Sequence, residues 1–284
     1  MARSYLYVPA DRPAMLARAL ERGADAVIVD LEDAVAPGAK DAARRAAADW
    51  LAGIDPARPV EVWVRVNPGA AGLVDAAAVV SPALRGLCLA KCEHPDDVAA
   101  VDAVLGEREA ALGLAPGRVA LSPLLESAGA VLSAPALAKA PRVAHLQAGE
   151  ADLRADLGMD PAPGDERELL PVRVGLVLAC AAARIGPPVG PVSTDYRDLE
   201  ALRRSSTALR RLGYRSRACI HPAQIPVVHE VFTPTAAELA AARDLVDRFD
   251  TAARAGRPVI VDADGRMVDE AVVRAARRVL AAGG

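Results

Sequence analysis

The sequence predicts an α/β fold, a (β/α)8 TIM barrel followed by a C-terminal helical extension. Three observations predict it. Short apolar runs alternate with helix-forming segments from residue 4 to residue 232. Polar and ionisable residues gather where these runs end, the face on which a barrel of parallel strands carries its chemistry. The chain of 284 residues is long enough for one large barrel with a tail to spare. A doubly wound sheet is the main alternative, but polar residues follow so many of the strands that closure is favoured. The barrel is placed at residues 1–234 and the extension at 235–284.

The elements follow in order. Ser4 to Val8 is β-rich and stops at Pro9. Residues 13–22 read as a helix with Pro13 at an early position, where a missing N–H does no harm, and Gly23 closes it. Ala26 to Leu31 is a buried strand with Glu32 and Asp33 at its tip, and Lys40 to Leu51 is an Ala/Arg helix. Val60 to Val66 is a strand containing Arg65, broken at Pro68-Gly69, and Leu73 to Val80 is a short helix. Gly86 to Ala90 is a strand ending at Lys91, followed by a helix from Asp96, its expected cap, to Ala111. Val119 to Leu125 and Val143 to Ala148 are the next strands, with an Ala-rich helix between them. Leu169 to Ala183 is a long apolar helix and Pro188 to Val192 a weak seventh strand. Leu199 to Leu212 is a helix ending at Gly213, a C-cap signal. Ala218 to Ile220 is the eighth strand, running into His221-Pro222 and a short helix from Ala223 to Val231. Thr235 starts a helix over 236–254. A β-like stretch from Pro258 to Asp262, a turn at Asp264-Gly265 and a helix from Glu270 to Ala281 complete the tail.

Composition excludes several functions. Aromatics are 3% of a chain that is 52% hydrophobic, so Ala, Val, Leu and Ile must build the core. A formal net charge of -3 argues against nucleic acid or an anionic membrane as partner. The longest apolar run, Val174 to Ala183, is too short to span a bilayer. The N-terminus lacks a signal-peptide core, and Cys88, Cys92, Cys180 and Cys219 form no CxxC pair, so a cytoplasmic protein with reduced thiols is expected. There is no P-loop and no GxGxxG after a strand, which leaves nucleotide hydrolysis and nicotinamide chemistry unsupported.

The stretch from Arg118 to Gly158 reads strand, carboxylate, helix, strand, carboxylate, helix. In a parallel sheet Glu126 and Asp152 then project from the same end of adjacent strands, roughly 5 Å apart. Carboxylates that close repel unless they share a proton or a cation, and Mg²⁺ at about 2.0–2.1 Å from one or two carboxylates suits that geometry. The plainer reading is that both acids merely begin helices, where the dipole favours them. Arg65, inside an apolar strand, must find a partner: a substrate carboxylate, or Asp30, Glu32 or Asp33 within the chain. Lys91 suits a Schiff base if burial lowers its pKa, and more readily an ion pair. His221 is read as a structural hydrogen-bonding residue.

Taken together these residues resemble the citrate lyase beta subunit family of CoA-ester lyases, within the HpcH/HpaI aldolase–citrate lyase superfamily. The matching pieces are Arg3-Ser4 with LYVP, DLEDAV at 30–35, VRVN at 64–67, LLESA at 124–128, GEADLRADLG at 149–158, TDYRDLEAL at 194–202, CIHPAQI at 219–225, FTPT at 232–235 and DGRMVD at 264–269. They run in order along nearly the whole chain. The resemblance implies a Mg²⁺-dependent lyase that cleaves or forms a 3-hydroxy-acyl-CoA such as citryl-, malyl- or citramalyl-CoA, yielding a 2-keto acid and acetyl-CoA. It implies Glu126 and Asp152 as metal ligands and Arg65, Glu126 and the amides near Ala151 as keto-acid contacts. Asp269 is implied as the catalytic acid/base, with Arg65 stabilising charge beside it. The resemblance also implies that Glu32 and Asp33 order Arg65 or metal-bound water and that Arg12 contacts a CoA phosphate. The partners implied are an acyl-CoA or acyl-carrier-protein thioester and a 2-keto acid. The assembly implied is a homotrimer or hexamer, in which the extension packs on a neighbouring subunit.

Four places depart from the family pattern: Gly190 where an acid is common, Ser216-Arg217 for Gly-Lys, Ala90-Lys91-Cys92 for Pro-Lys-aliphatic, and Gln147 where an aromatic is usual. None removes a metal ligand. The competing functions are an aldolase on free 2-keto acids and a non-catalytic metabolite-binding subunit.

Overall fold

The computed structural model describes residues 2–160, 166–256, 259–262 and 265–283. Eight parallel strands close into a barrel in sequence order. They are β1 (Ser4–Pro9), β2 (Ala26–Asp30), β3 (Glu61–Val66), β4 (Leu84–Leu89), β5 (Ala120–Leu125), β6 (Gln147–Ala148), β7 (Val189–Gly190) and β8 (Ser216–Cys219). The last strand pairs with the first, Ser4 opposite Arg217 and Leu6 opposite Cys219, so no edge is left open. The TIM-barrel expectation holds.

The alternation of side chains explains the sequence pattern. Tyr5, Ile28, Trp63, Cys88, Ala120, Val189 and Ala218 form one buried cluster inside the barrel. Their neighbours along the strands are equally apolar, as in Val27, Val29 and Val64, all at 0% exposure. A strand buried on both faces therefore reads as a continuous apolar run. Trp63 is accommodated because β4 has Gly86 opposite: a Cβ there would lie 2.3 Å from the indole.

The helices are α1 (Pro13–Leu16), α2 (Lys40–Ala52), α3 (Gly69–Val79), α4 (Pro95–Ala111), α5 (Ala128–Leu137), α6 (Glu150–Leu157), α7 (Leu170–Ala183), α8 (Leu199–Leu212), α9 (Ile225–Phe232), α10 (Ala236–Arg254) and α11 (Glu270–Ala282). Several boundaries differ from the expected ones. The helix over 13–22 divides into α1 and a 3-10 turn at Ala19–Glu21. Pro68-Gly69, expected as a break, is where α3 begins. The cap of α4 is His94 rather than Asp96, because Pro95 takes the first helical position and Asp97 reaches back to the His94 amide at 2.9 Å. The stretch 143–148 pairs only through Gln147 and Ala148, plus an isolated bridge from Val143 to Leu121.

Contacts divide the chain into two compact units, Met1–His229 and Glu230–Gly284. In the second, Thr235 caps α10 in a capping box with Glu238. Phe249, Val268 and Val273 form its small core. Two short strands, β9 (Ile260–Val261) and β10 (Met267–Val268), pair antiparallel, and β10 was not expected. Pro258 and Asp264, part of the expected tail, lie outside the described residues. No helix among the described residues is long and apolar enough to cross a membrane.

Candidate active site

The C-terminal ends of the strands open into a cavity of about 930 Å³. Arg65, Asp30, Asp33, Glu126, Ala151 and Asp152 all line it. The strand-end rule thus brings together most of the candidates read from the sequence.

Arg65 lies at the end of β3, beside the end of β2. Its Nε and Nη2 donate to the two oxygens of Asp30 at 2.7 and 2.6 Å. Its Nη1 lies 3.1 Å from Glu32 and 3.6 Å from Asp33. Burial works against the guanidinium's charge, but Asp30 outweighs it and holds the pKa above the ordinary arginine value. The internal ion pair considered from sequence is therefore present, and it fixes the orientation of a cation on the cavity wall.

Lys91 follows β4 with a left-handed φ of 49°. Its ammonium contacts Glu32 and lies 3.4 Å from Asp33. The hydrogen bond to Glu32, and then the charges of both acids, raise its pKa. This is the ion-pair role, and it opposes the free amine that a Schiff base requires.

The backbone N–H of Lys91 donates to Glu126 Oε2 at 2.9 Å. Glu126 directly follows β5 and is 6% exposed. On its other side is Gly149, where a Cβ would meet Glu126 Cγ at 2.4 Å and Oε1 at 2.6 Å. Burial pushes the Glu126 carboxyl up to about 7; the Lys91 amide pulls down, while Asp152 and Glu32 push up further. Asp152 is not at a strand tip as expected. Gly149 is the N-cap of α6, and Asp152 lies in that helix's first turn. Gly149 offers no side-chain cap, so the first-turn amides around Ala151 face the cavity mouth without helical partners.

Asp30, Glu32, Asp33 and Glu126 stand beside Arg65 and Lys91, with the charge of Asp152 acting on Glu126, and the same cavity is also lined by Arg154, Arg173, Arg204 and Arg217. The hard oxygen donors and the upward push on Glu126 fit a divalent cation between Glu126 and Asp152. Among the described residues no cluster of three or more His, Cys, Asp or Glu forms a metal cage.

The other candidates fall elsewhere. Arg12 is exposed beside Asp11 and does not line the cavity. Asp269 belongs to the second unit, where its Oδ1 accepts from the amides of Ala271 and Val272 and caps α11. His221 accepts from the Ala223 amide through Nδ1 and stacks on Tyr196 with centroids 4.7 Å apart. All four cysteines are free and buried.

Sequence reasoning missed two features of the cavity wall. Arg173 on α7 bonds Glu150 through Nε and Nη2, both at 2.7 Å, and Glu166 at 2.6 Å. An arginine amid PVRVGLVLA was the available signal. Gln147, on the barrel floor, donates to Ser122 at 2.8 Å and Cys88 at 3.2 Å.

A sequence model of the HpcH/HpaI aldolase/citrate lyase family matches residues 3–222. A citrate lyase subunit beta-like protein of Deinococcus radiodurans is 35% identical over 99% of this chain and 96% of its own length. A (3S)-malyl-CoA thioesterase of Cereibacter sphaeroides is 32% identical over 98% of this chain and 93% of its own. The crystal structure of CitE from Mycobacterium tuberculosis, in complex with magnesium, acetoacetate and coenzyme A, superposes with a TM-score of 0.78 at 32% identity, covering 99% of this chain and 98% of that one.

Proposed function

The chain belongs to the HpcH/HpaI aldolase/citrate lyase family, and we propose that it is a Mg²⁺-dependent carbon–carbon lyase acting on a 3-hydroxy-acyl thioester. The substrate is an acyl-CoA such as citryl-, malyl- or citramalyl-CoA, or the acyl-carrier-protein equivalent, and the products are a 2-keto acid and the acetyl thioester. The observation that carries the reading is Glu126 and Asp152 lining one cavity with Arg65. The magnesium and coenzyme A bound by the Mycobacterium tuberculosis relative support the same ligands here.

Glu126 and Asp152 would hold Mg²⁺, which supplies Lewis-acid stabilisation of charge developing on the keto-acid oxygen. Arg65, oriented by Asp30, faces the keto-acid carboxylate and opposes the same charge. The first-turn amides of α6 at Ala151 and Asp152 add donors for that carboxylate. A base takes the proton of the 3-hydroxyl; the C2–C3 bond breaks; its electron pair passes into the thioester enolate, which an acid protonates on carbon. Asp269 is assigned one of these transfers, delivered by the extension packed on a neighbouring subunit of a homotrimer or hexamer. Glu32 and Asp33 position Arg65 and Lys91, and Arg12 is the surface cation assigned to a CoA phosphate.

Likeness to a malyl-CoA thioesterase favours one second reading, hydrolysis of the thioester itself. Assays of keto acid and of free CoA, with citryl-, malyl- and citramalyl-CoA in Mg²⁺ and in EDTA, separate the two. Metal-dependent keto acid establishes the lyase; free CoA with intact hydroxy acid establishes the thioesterase; neither product from any of the esters, nor keto acid from the acyl-carrier-protein equivalents, sinks both.

A further inference from the structure

Arg217, on β8, is 3% exposed and bonds no carboxylate among the described residues. Its Nε donates to the Pro191 carbonyl at 2.9 Å, and its Nη1 to Ser205 and Ser206 at 2.8 Å each and to the Leu202 carbonyl at 3.3 Å. Every one of these acceptors is neutral. Its Nη2 makes no hydrogen bond with a described residue, and the residue lines the large cavity. The position across the ladder is Gly190, which supplies no side chain; a Cβ there would lie 3.5 Å from Arg217 Cγ. The acids on this side of the cavity are Glu150 and Glu166, both bonded by Arg173, and Asp195, whose Oδ1 accepts from the amides of Arg197 and Asp198. Arg204, next to Ser205 on α8, is exposed, lines the same cavity and forms no ion pair among the described residues. The other buried guanidinium on this wall, Arg173, has its own carboxylates. Arg217 is buried and bonds no carboxylate among the described residues, and burial draws its pKa down to about 10 against the more distant charges of Glu166 and Glu150. Burying a charge without a counter-ion is costly, and a built cavity beside it is the place from which a counter-ion arrives.

We propose that the β7–β8–α8 wall of the cavity is an oxyanion subsite, in which Arg217 with Arg204 takes a carboxylate or phosphate group of a ligand. It is separate from Arg65, whose Nε and Nη2 are committed to Asp30. It needs neither metal nor turnover, so it and the lyase reading fail independently.

The test is calorimetric titration of the full chain with inorganic phosphate and, separately, with malonate, all in EDTA. Wild type binds at least one of them; a preference for phosphate assigns the subsite to a phosphorylated ligand, and a preference for malonate to a carboxylate. Arg217→Met weakens binding at least tenfold. Arg204→Ala, at an exposed position without ion pairs, weakens it several-fold and keeps the test open if the core variant does not fold. No binding of either anion by wild type, or equal affinity in wild type and Arg204→Ala, overturns the proposal.

Discussion

The backbone amide of Lys91 is bonded to the side chain of Glu126, N to Oε2 at 2.9 Å, and so ties the end of β4 to the carboxylate that follows β5. That bond leaves Oε1 beside Gly149 and α6, the helix that carries Asp152. Glu126 is therefore held on two sides, by the Lys91 amide and by the close approach of Gly149.

Replacing either carboxylate by its amide keeps the shape and removes the charge. Glu126→Gln and Asp152→Asn are expected to lower metal-dependent turnover by about 10²–10³-fold with little change in thermal stability. Chelation of wild type should do the same. Steady-state rates across a Mg²⁺ titration, with circular dichroism for the fold, check this. Full Mg²⁺-dependent rates in both variants would exclude them as ligands.

Gly149→Ala tests the packing against Glu126. The φ at this residue is −85°, so alanine brings no backbone strain, only a methyl placed where Glu126 now lies. The carboxylate must move, and Mg²⁺ affinity should weaken by about 10–100-fold, the range for disturbed support of a metal ligand. Unchanged affinity by calorimetry would show that Glu126 does not bind from this pose.

Removing the Arg173 side chain takes the two-point partner from buried Glu150, while Glu166 keeps Arg154 at 2.9 Å. Arg173 is 5% and Glu150 8% exposed. Arg173→Met is expected to destabilise the chain by about 3–5 kcal/mol, the range for breaking a buried pair from one side. Urea unfolding measures it, and a loss under about 1 kcal/mol would mean that water replaces the arginine.

His145 should make the fold acid-sensitive. It packs against Trp63 and Tyr5, with ring centroids 5.0 and 5.6 Å away. Burial holds its pKa down at about 3. The unfolded chain takes up this proton near pH 6.5 while the folded chain does not, so stability falls as pH drops below that value, by about 1.4 kcal/mol per unit, until the folded pKa is reached. His145→Phe should show a shallower loss between pH 6 and 4.5 in urea unfolding. Parallel pH slopes in variant and wild type would sink the assignment.

The barrel was legible because strands covered on both faces read as apolar runs and because ionisable residues mark the ends they point from. Glu126 was legible for the same reason. Asp152 was found as an acid but misplaced, since Gly149 starts a helix where β6 was expected to end. The partner of Arg65 was open because Asp30, a substrate and the neighbouring acids all satisfy a guanidinium, and only the register of β2 against β3 puts Asp30 beside it. Arg217 was visible as a departure from pattern, but its lack of a counter-charge depends on Gly190 lying across the ladder, which sequence order does not reveal.

The strand ladders are unequal around the barrel. β1 to β4 are joined by long registers, whereas β6 meets β7 through the single pair Gln147 and Val189. A cylinder zipped unevenly opens first at its shortest seam. Amides of β6 and β7 should exchange with solvent before those of β2 and β3, and mechanical or thermal opening should begin there. The helix bearing Asp152 leaves from that seam, while Arg65 and Asp30 stand on the longer ladder of β2 and β3.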